Sequence, residues 1–117
     1  MKALCYGLPF GASWTVLDGF RSVRGHQVRT VALEGGADYR LKKREKAADL
    51  ICRVAQEWVP DCLVCWCPEV SPPPFAIEEC PVKTAAIVSD WNIYFPQLEY
   101  NLSRYDVVIT DRMGSQT

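Results

Sequence analysis

No stretch of this chain approaches the ~20 consecutive apolar residues that a helix needs to cross a bilayer, so it offers no candidate membrane span. Charge of one sign is also lacking. Lys and Arg total 13 against 14 Asp and Glu, and a formal net charge of -1 gives no general attraction to nucleic acid or to an anionic membrane. The single dense basic run, Lys42–Lys46, reads as the solvated face of a helix. Neither a full G-x-G-x-x-G nor a P-loop lysine follows the first apolar run. Histidine occurs once, as His26 beside Gly25 at a helix–strand junction, where a structural role is expected. No glycine separates Cys62, Cys65 and Cys67 to form the knuckle that wraps an ion, and strand alternation puts Cys62 on the opposite face from the other two. No metal site is therefore expected. Most of the 6 cysteines fall inside apolar strand or helix patterns, which fits buried thiols in a reducing compartment better than a disulfide framework. The amino terminus has one lysine and an apolar run broken by Gly7, Pro9 and Gly11, so a strand and Gly turn explain it better than a secretory signal. The expected location is the cytoplasm.

What is present is apolar material for a core. With 49% hydrophobic and 23% charged residues among 117, the chain is expected to form one compact domain over residues 1–117. Ala3–Tyr6 reads as a short buried strand ending at Gly7. Ser13 is placed to cap a helix over Trp14–Arg24, which Gly25 stops. Gln27–Leu33 is a second strand whose Gln27 and Arg29 share a face, a partial polarity that suits a sheet edge. From about Leu41 to Val59 the residues Ala47, Ala48, Ile51, Val54, Ala55 and Trp58 mark one stripe of an amphipathic helix, with Pro60 as its stop. Cys62–Cys67 is apolar on both faces and reads as a central strand. The prolines of Pro68–Pro81 exclude a regular helix and leave an extended crossover, with one turn near Phe75–Glu79. Thr84–Val88 is a fourth strand, Pro96 opens a short helix through about Ser103, and Asp106–Thr110 is a fifth strand.

That alternation is the pattern of a doubly wound α/β, Rossmann-like fold with a mainly parallel, five-stranded sheet. The polar second strand and apolar third favour the order 2-1-3-4-5, with 3-2-1-4-5 as the alternative. The final residues, Asp111–Thr117, resemble a strand tip and Gly turn that ordinarily feed another helix, so the architecture looks cut short.

Ligands of open parallel sheets sit outside the carboxyl ends of the strands. The run Thr84–Asn92 is organised in that way, with β-branched and apolar residues ending in Ser89, Asp90, Trp91 and Asn92. Glu69, Asp90 and Asp111 each follow a strand, and such a carboxylate can take a proton from a hydroxyl nucleophile or, equally, cap the turn that follows. Asp90 is the strongest candidate base and Glu69 the second. Gly7 and Gly11 permit close backbone approach to a ligand, with Ser13 beside them. Trp91 and Tyr94 suit stacking on a sugar or base, whereas Trp14, Trp58 and Trp66 read as core.

Several segments taken in order resemble the amino-terminal domain of GT-B glycosyltransferases, particularly the bacterial group 1 and spore-maturation-like type. They are the turn Gly7–Gly11, the junction Arg24-Gly25-His26-Gln27-Val28, the segment Val59-Pro60-Asp61-Cys62-Leu63-Val64, Pro68-Glu69 with its proline run, Ser89-Asp90-Trp91-Asn92, and Thr110-Asp111-Arg112. The resemblance implies an acceptor-side domain, inactive alone, whose missing carboxyl-terminal partner domain binds a nucleotide-sugar donor. It implies transfer to an acceptor hydroxyl of a sugar or glycan with no metal and no further cofactor. It places the Gly7–Gly11 turn near the donor phosphates and Asp90 or Glu69 as base; Ser13, Trp91, Asn92 and Asp111 are the further candidate substrate-binding residues. Apolar surface left bare by a missing domain would favour a homodimer. The competing class is a stand-alone flavodoxin-like module that binds a small ligand or a protein, with Pro68–Pro81 as docking segment. A phosphoreceiver is discounted, because the first strand tip, Gly-Leu-Pro-Phe-Gly, carries no acid.

Overall fold

A computed structural model describes residues 1–7, 25–33, 37–66, 73–88 and 103–110. Among them are six strands, β1 (Lys2–Tyr6), β2 (Gln27–Ala32), β3 (Tyr39–Arg40), β4 (Cys62–Trp66), β5 (Lys83–Val88) and β6 (Val107–Thr110), and one α-helix, α1 (Ala47–Ala55). A 3-10 turn covers Ile77–Glu79. The chain is thus α/β and Rossmann-like. The expected helices over Trp14–Arg24 and Pro96–Ser103 fall outside the described residues, apart from Ser103 itself.

All pairings in the sheet are parallel, and its order is β3-β2-β1-β4-β5-β6. This corrects both the expected count of five and the favoured order. The added strand is β3, which pairs only Val31 with Tyr39 and Ala32 with Arg40. Two residues carry no periodicity for a sequence reading to find. The segment between β2 and β3, Leu33–Asp38, is shorter than the dozen or more residues of an ordinary parallel crossover, and β3 pairs with the tip of β2 alone. Consequently β2 is not the edge strand that its polarity suggested. Its carboxyl half is covered by β3, while the Thr30 amide ahead of it donates to Asp38 Oδ2 at 2.8 Å.

An aspartate stands immediately before three of the strands and fixes their register. Asp38 accepts from the Thr30 amide, and its own amide donates to Thr30 Oγ1 at 3.1 Å. Asp106, before β6, repeats the arrangement on β5, accepting from the Thr84 amide at 2.9 Å while donating its own to Thr84 Oγ1 at 3.1 Å. Asp61, before β4, accepts from the Lys2 amide at 2.7 Å. A one-residue slip would exchange the faces of a strand, and these charge-assisted bonds hold against it.

Both faces of the sheet are apolar, as its parallel character requires. On one face Leu4, Tyr6, Val31, Leu63, Cys65, Ala86 and Val88 meet α1. The helix buries Ala47, Leu50, Ile51 and Val54, spaced i, i+3, i+4 and i+7 as one stripe, with Trp58 extending it. Burying each of the larger side chains contributes about 1.5–3 kcal/mol. On the other face Ala3, Cys5 and Val64 are buried beside Val28, Cys62, Ala85 and Ile87.

The helix is shorter than the expected span from Leu41 to Val59. Leu41 directly follows β3 and is bonded to the sheet, its amide donating to the Ala32 carbonyl at 2.7 Å. Arg44 has φ 60, a left-handed conformation that a helix does not admit. Lys46 is extended and bridges to Phe75, whose carbonyl accepts from the Ala47 amide at 2.8 Å while its amide donates to the Glu45 carbonyl at 3.0 Å. The basic run Lys42–Lys46 is therefore an exposed turn and not a helix face, with Glu45 partly covered.

Candidate functional site

Because every strand is parallel, their carboxyl ends share one edge of the sheet. The strand order reverses between β1 and β4, since β2 and β3 extend to one side of β1 and β4, β5 and β6 to the other. A crevice of ligand-binding type forms at such a reversal. Gly7 stands there. It follows β1, whose register pairs Tyr6 with Cys65, so Gly7 comes beside Trp66 at the end of β4. A β-carbon built on Gly7 would lie 2.6 Å from the Trp66 Cβ, nearer than real β-carbons come. Glycine is what lets the backbone at position 7 lie against Trp66 of β4 at the reversal.

Gly7 is the only expected site residue that the structure describes. Glu69 comes three residues after β4, Asp90 two after β5 and Asp111 directly after β6 in the chain. These three, with Gly11, Ser13, Trp91 and Asn92, lie outside the described residues.

Several polar side chains near the sheet are held in structural pairs. Trp58 is core, as expected, and its indole Nε1 donates to Gln27 Oε1 at 3.2 Å. The Arg29 guanidinium sits 5.1 Å from the Trp58 ring centroid and donates to Tyr39 Oη at 2.6 Å, which ties β2 to both α1's extension and β3. Trp66, also expected in the core, is half-buried at the strand tip.

Cys67 lies outside the described residues, and the described cysteines are dispersed over the sheet, the helix and the end of the 3-10 turn. Cys62 and Cys65 fall on opposite faces of the sheet. Burial pushes the Cys65 thiol up to about 12, against the lowering effect of its hydrogen bond with Tyr105. Burial likewise raises Cys62 and Cys80. A thiol held protonated is a poor nucleophile. Cys52, Cys62, Cys65 and Cys80 are not in disulfides. Among the described residues no group of three His, Cys, Asp or Glu side chains is arranged to hold a metal ion, and no helix is long and apolar enough to cross a membrane.

A feature that the sequence reading missed lies at the same sheet edge, beyond β2 and β3. Leu33 follows β2 and Leu41 follows β3, and between them and Pro73–Phe75 is a cleft of about 80 Å³. The Lys46–Phe75 bridge closes it by holding the proline run against the turn that precedes α1. Lys42, Arg44 and Glu45 line it with the apolar residues. Burial pushes the Glu45 carboxyl up, but the Arg53 hydrogen bond, the Lys42 amide and the charges of both residues together hold it below the usual range. Its Oε2 accepts from Arg53 Nε at 3.0 Å and its Oε1 from Arg53 Nη2 at 2.9 Å. The available signal was a basic run and an aromatic after three prolines, but only the Phe75 bridge brings them together.

No family model, curated protein or solved structure matches the chain.

Proposed function

We propose that this chain is the amino-terminal, acceptor-side domain of a glycosyltransferase, transferring sugar from a nucleotide-sugar donor to an acceptor hydroxyl. The observation that carries the reading is the close approach of Gly7 to Trp66 at the reversal of strand order, with strand tips on both sides that lead in sequence to Glu69, Asp90 and Asp111. The reaction class comes from the ordered sequence resemblance to GT-B enzymes. In this reading Asp90, or Glu69, takes the acceptor proton as the hydroxyl attacks the anomeric carbon, and the nucleoside diphosphate leaves. Gly7, Gly11 and Ser13 border the donor phosphates, and Trp91, Asn92 and Asp111 border the sugars. A carboxyl-terminal domain supplies the donor site, so the 117-residue chain alone is inert.

The test is transfer of labelled sugar from a panel of nucleotide sugars by the native-length polypeptide, beside its Asp90→Asn variant. Turnover that falls at least about 100-fold in the variant, with an unchanged circular dichroism spectrum, is expected of a general base. Equal turnover in both removes Asp90 from that role. Absence of transfer across the panel overturns the transferase reading.

A further inference from the structure

We infer that the cleft between the Lys42–Glu45 turn and Pro73–Phe75 is a binding site for a monoaryl or short monoalkyl phosphate. It stands on residues that the transferase reading does not use, and neither conclusion requires the other. Two observations converge on this ligand.

The first is an apolar floor left open to solvent. Leu33 is 46% exposed and Phe75 53%, while Leu41 and Pro74 beneath them are buried. Most large apolar residues of the described sheet and helix are covered, so an open leucine and phenylalanine facing one cleft are an unfilled contact surface for an apolar group. The cleft is small, about 80 Å³, and suits a single ring or a short chain.

The second is the charge at the rim. Lys42 and Arg44 line the cleft and are exposed, and neither side chain has an ion-pair partner among the described residues. The carboxylate that follows them in sequence, Glu45, would oppose an anion if it were free. It is not, because Arg53 grips both of its oxygens and the Lys42 amide donates to Oε1 at 3.0 Å. Its charge is offset, and the rim presents two cations. A phosphate monoester carries about −1.5 to −2 charges at neutral pH, which matches two cations better than one carboxylate does. Arginine also meets phosphate with paired donors. The left-handed backbone of Arg44 sets this turn, and the bonds from Phe75 to Glu45 and Ala47 hold the opposite wall.

Titration of 15N-labelled protein with phenyl phosphate, followed by amide chemical shifts, tests the proposal. Saturable shifts centred on Arg44 and Phe75 are expected, with inorganic phosphate and benzyl alcohol each binding at least about tenfold more weakly, a difference of about 1.4 kcal/mol. Arg44→Gly and Phe75→Ala are each expected to weaken phenyl phosphate by about tenfold or more. Arg44→Gly removes the cation while relieving the left-handed backbone, so the fold is retained and lost binding reports on the site. Three results would overturn the proposal: no saturable shift at millimolar phenyl phosphate, equal binding of inorganic phosphate, or undiminished binding by Arg44→Gly.

Discussion

Replacing Gly7 by alanine places a methyl group where the reversal of strand order leaves no room. Neighbouring strands ordinarily lie about 4.8 Å apart, whereas the new β-carbon would stand 2.6 Å from the Trp66 Cβ. That opposing atom is fixed to the β4 backbone and cannot swing away as the end of a flexible side chain would. Relief must come from displacement of β1 or β4, and overpacking of this kind costs about 1–3 kcal/mol. With a urea dependence of about 1–3 kcal/mol per molar, the unfolding midpoint of Gly7→Ala falls by about 1 M. A double-mutant cycle isolates the cause. Trp66→Ala keeps the β-carbon and is expected to leave the clash intact, while Trp66→Gly removes it and recovers about 1–2 kcal/mol of coupling. The assay is equilibrium urea unfolding at 25 °C followed by circular dichroism. A Gly7→Ala protein within about 0.3 kcal/mol of the parent, or equal rescue by both Trp66 variants, would refute the reasoning.

Asp106→Ala leaves the buried Thr84 amide and hydroxyl without their shared acceptor, and a loss of about 1–3 kcal/mol in the same unfolding assay is expected. Glu45→Gln tests the pH dependence of the Arg53 pair. The folded Glu45 pKa lies below its unfolded value, so the stability it contributes is present above the ordinary glutamate range and is lost as pH falls through the folded value. The parent is therefore expected to exceed the variant in stability at pH 7, with the gap closing in acid; a gap independent of pH would contradict the assignment. Alkylation at pH 8 with peptide mapping is expected to label exposed Cys52 readily and Cys65 only on unfolding. Labelling of both at similar rates in the native state would contradict the burial of Cys65.

The strands that were legible in the sequence are those with a long apolar record. Cys62–Trp66 is buried on both faces and lies inside the sheet, because only a covered strand can afford that composition. Thr84–Val88 behaves alike, and its partner Asp106 extends the reading by one side chain. The helix stripe from Ala47 to Trp58 was visible for the same reason, namely its spacing. Its start was not visible. Nothing local in Leu41–Lys46 disfavours a helix, and the actual turn depends on Phe75, roughly thirty residues away, whose backbone takes the bonds at Glu45 and Ala47. The strand Tyr39–Arg40 was hidden because two residues have no period, and its presence also moved β2 away from the edge. Of the site, only Gly7 lies within the described residues, and its role at the strand reversal depends on a contact with Trp66 that spacing along the chain does not contain. The phosphate cleft was invisible for a similar reason, since Leu33, Arg44 and Phe75 come from three separate segments.

The central claim, that this domain is the acceptor-side half of a two-domain transferase, is tested most directly by the intact mass of the native polypeptide in its source cells. A second Rossmann-like domain of ordinary size raises the mass to about two or three times that of this chain, and the account expects that result. A native polypeptide of 13.2 kDa, the mass of these 117 residues alone, would contradict it.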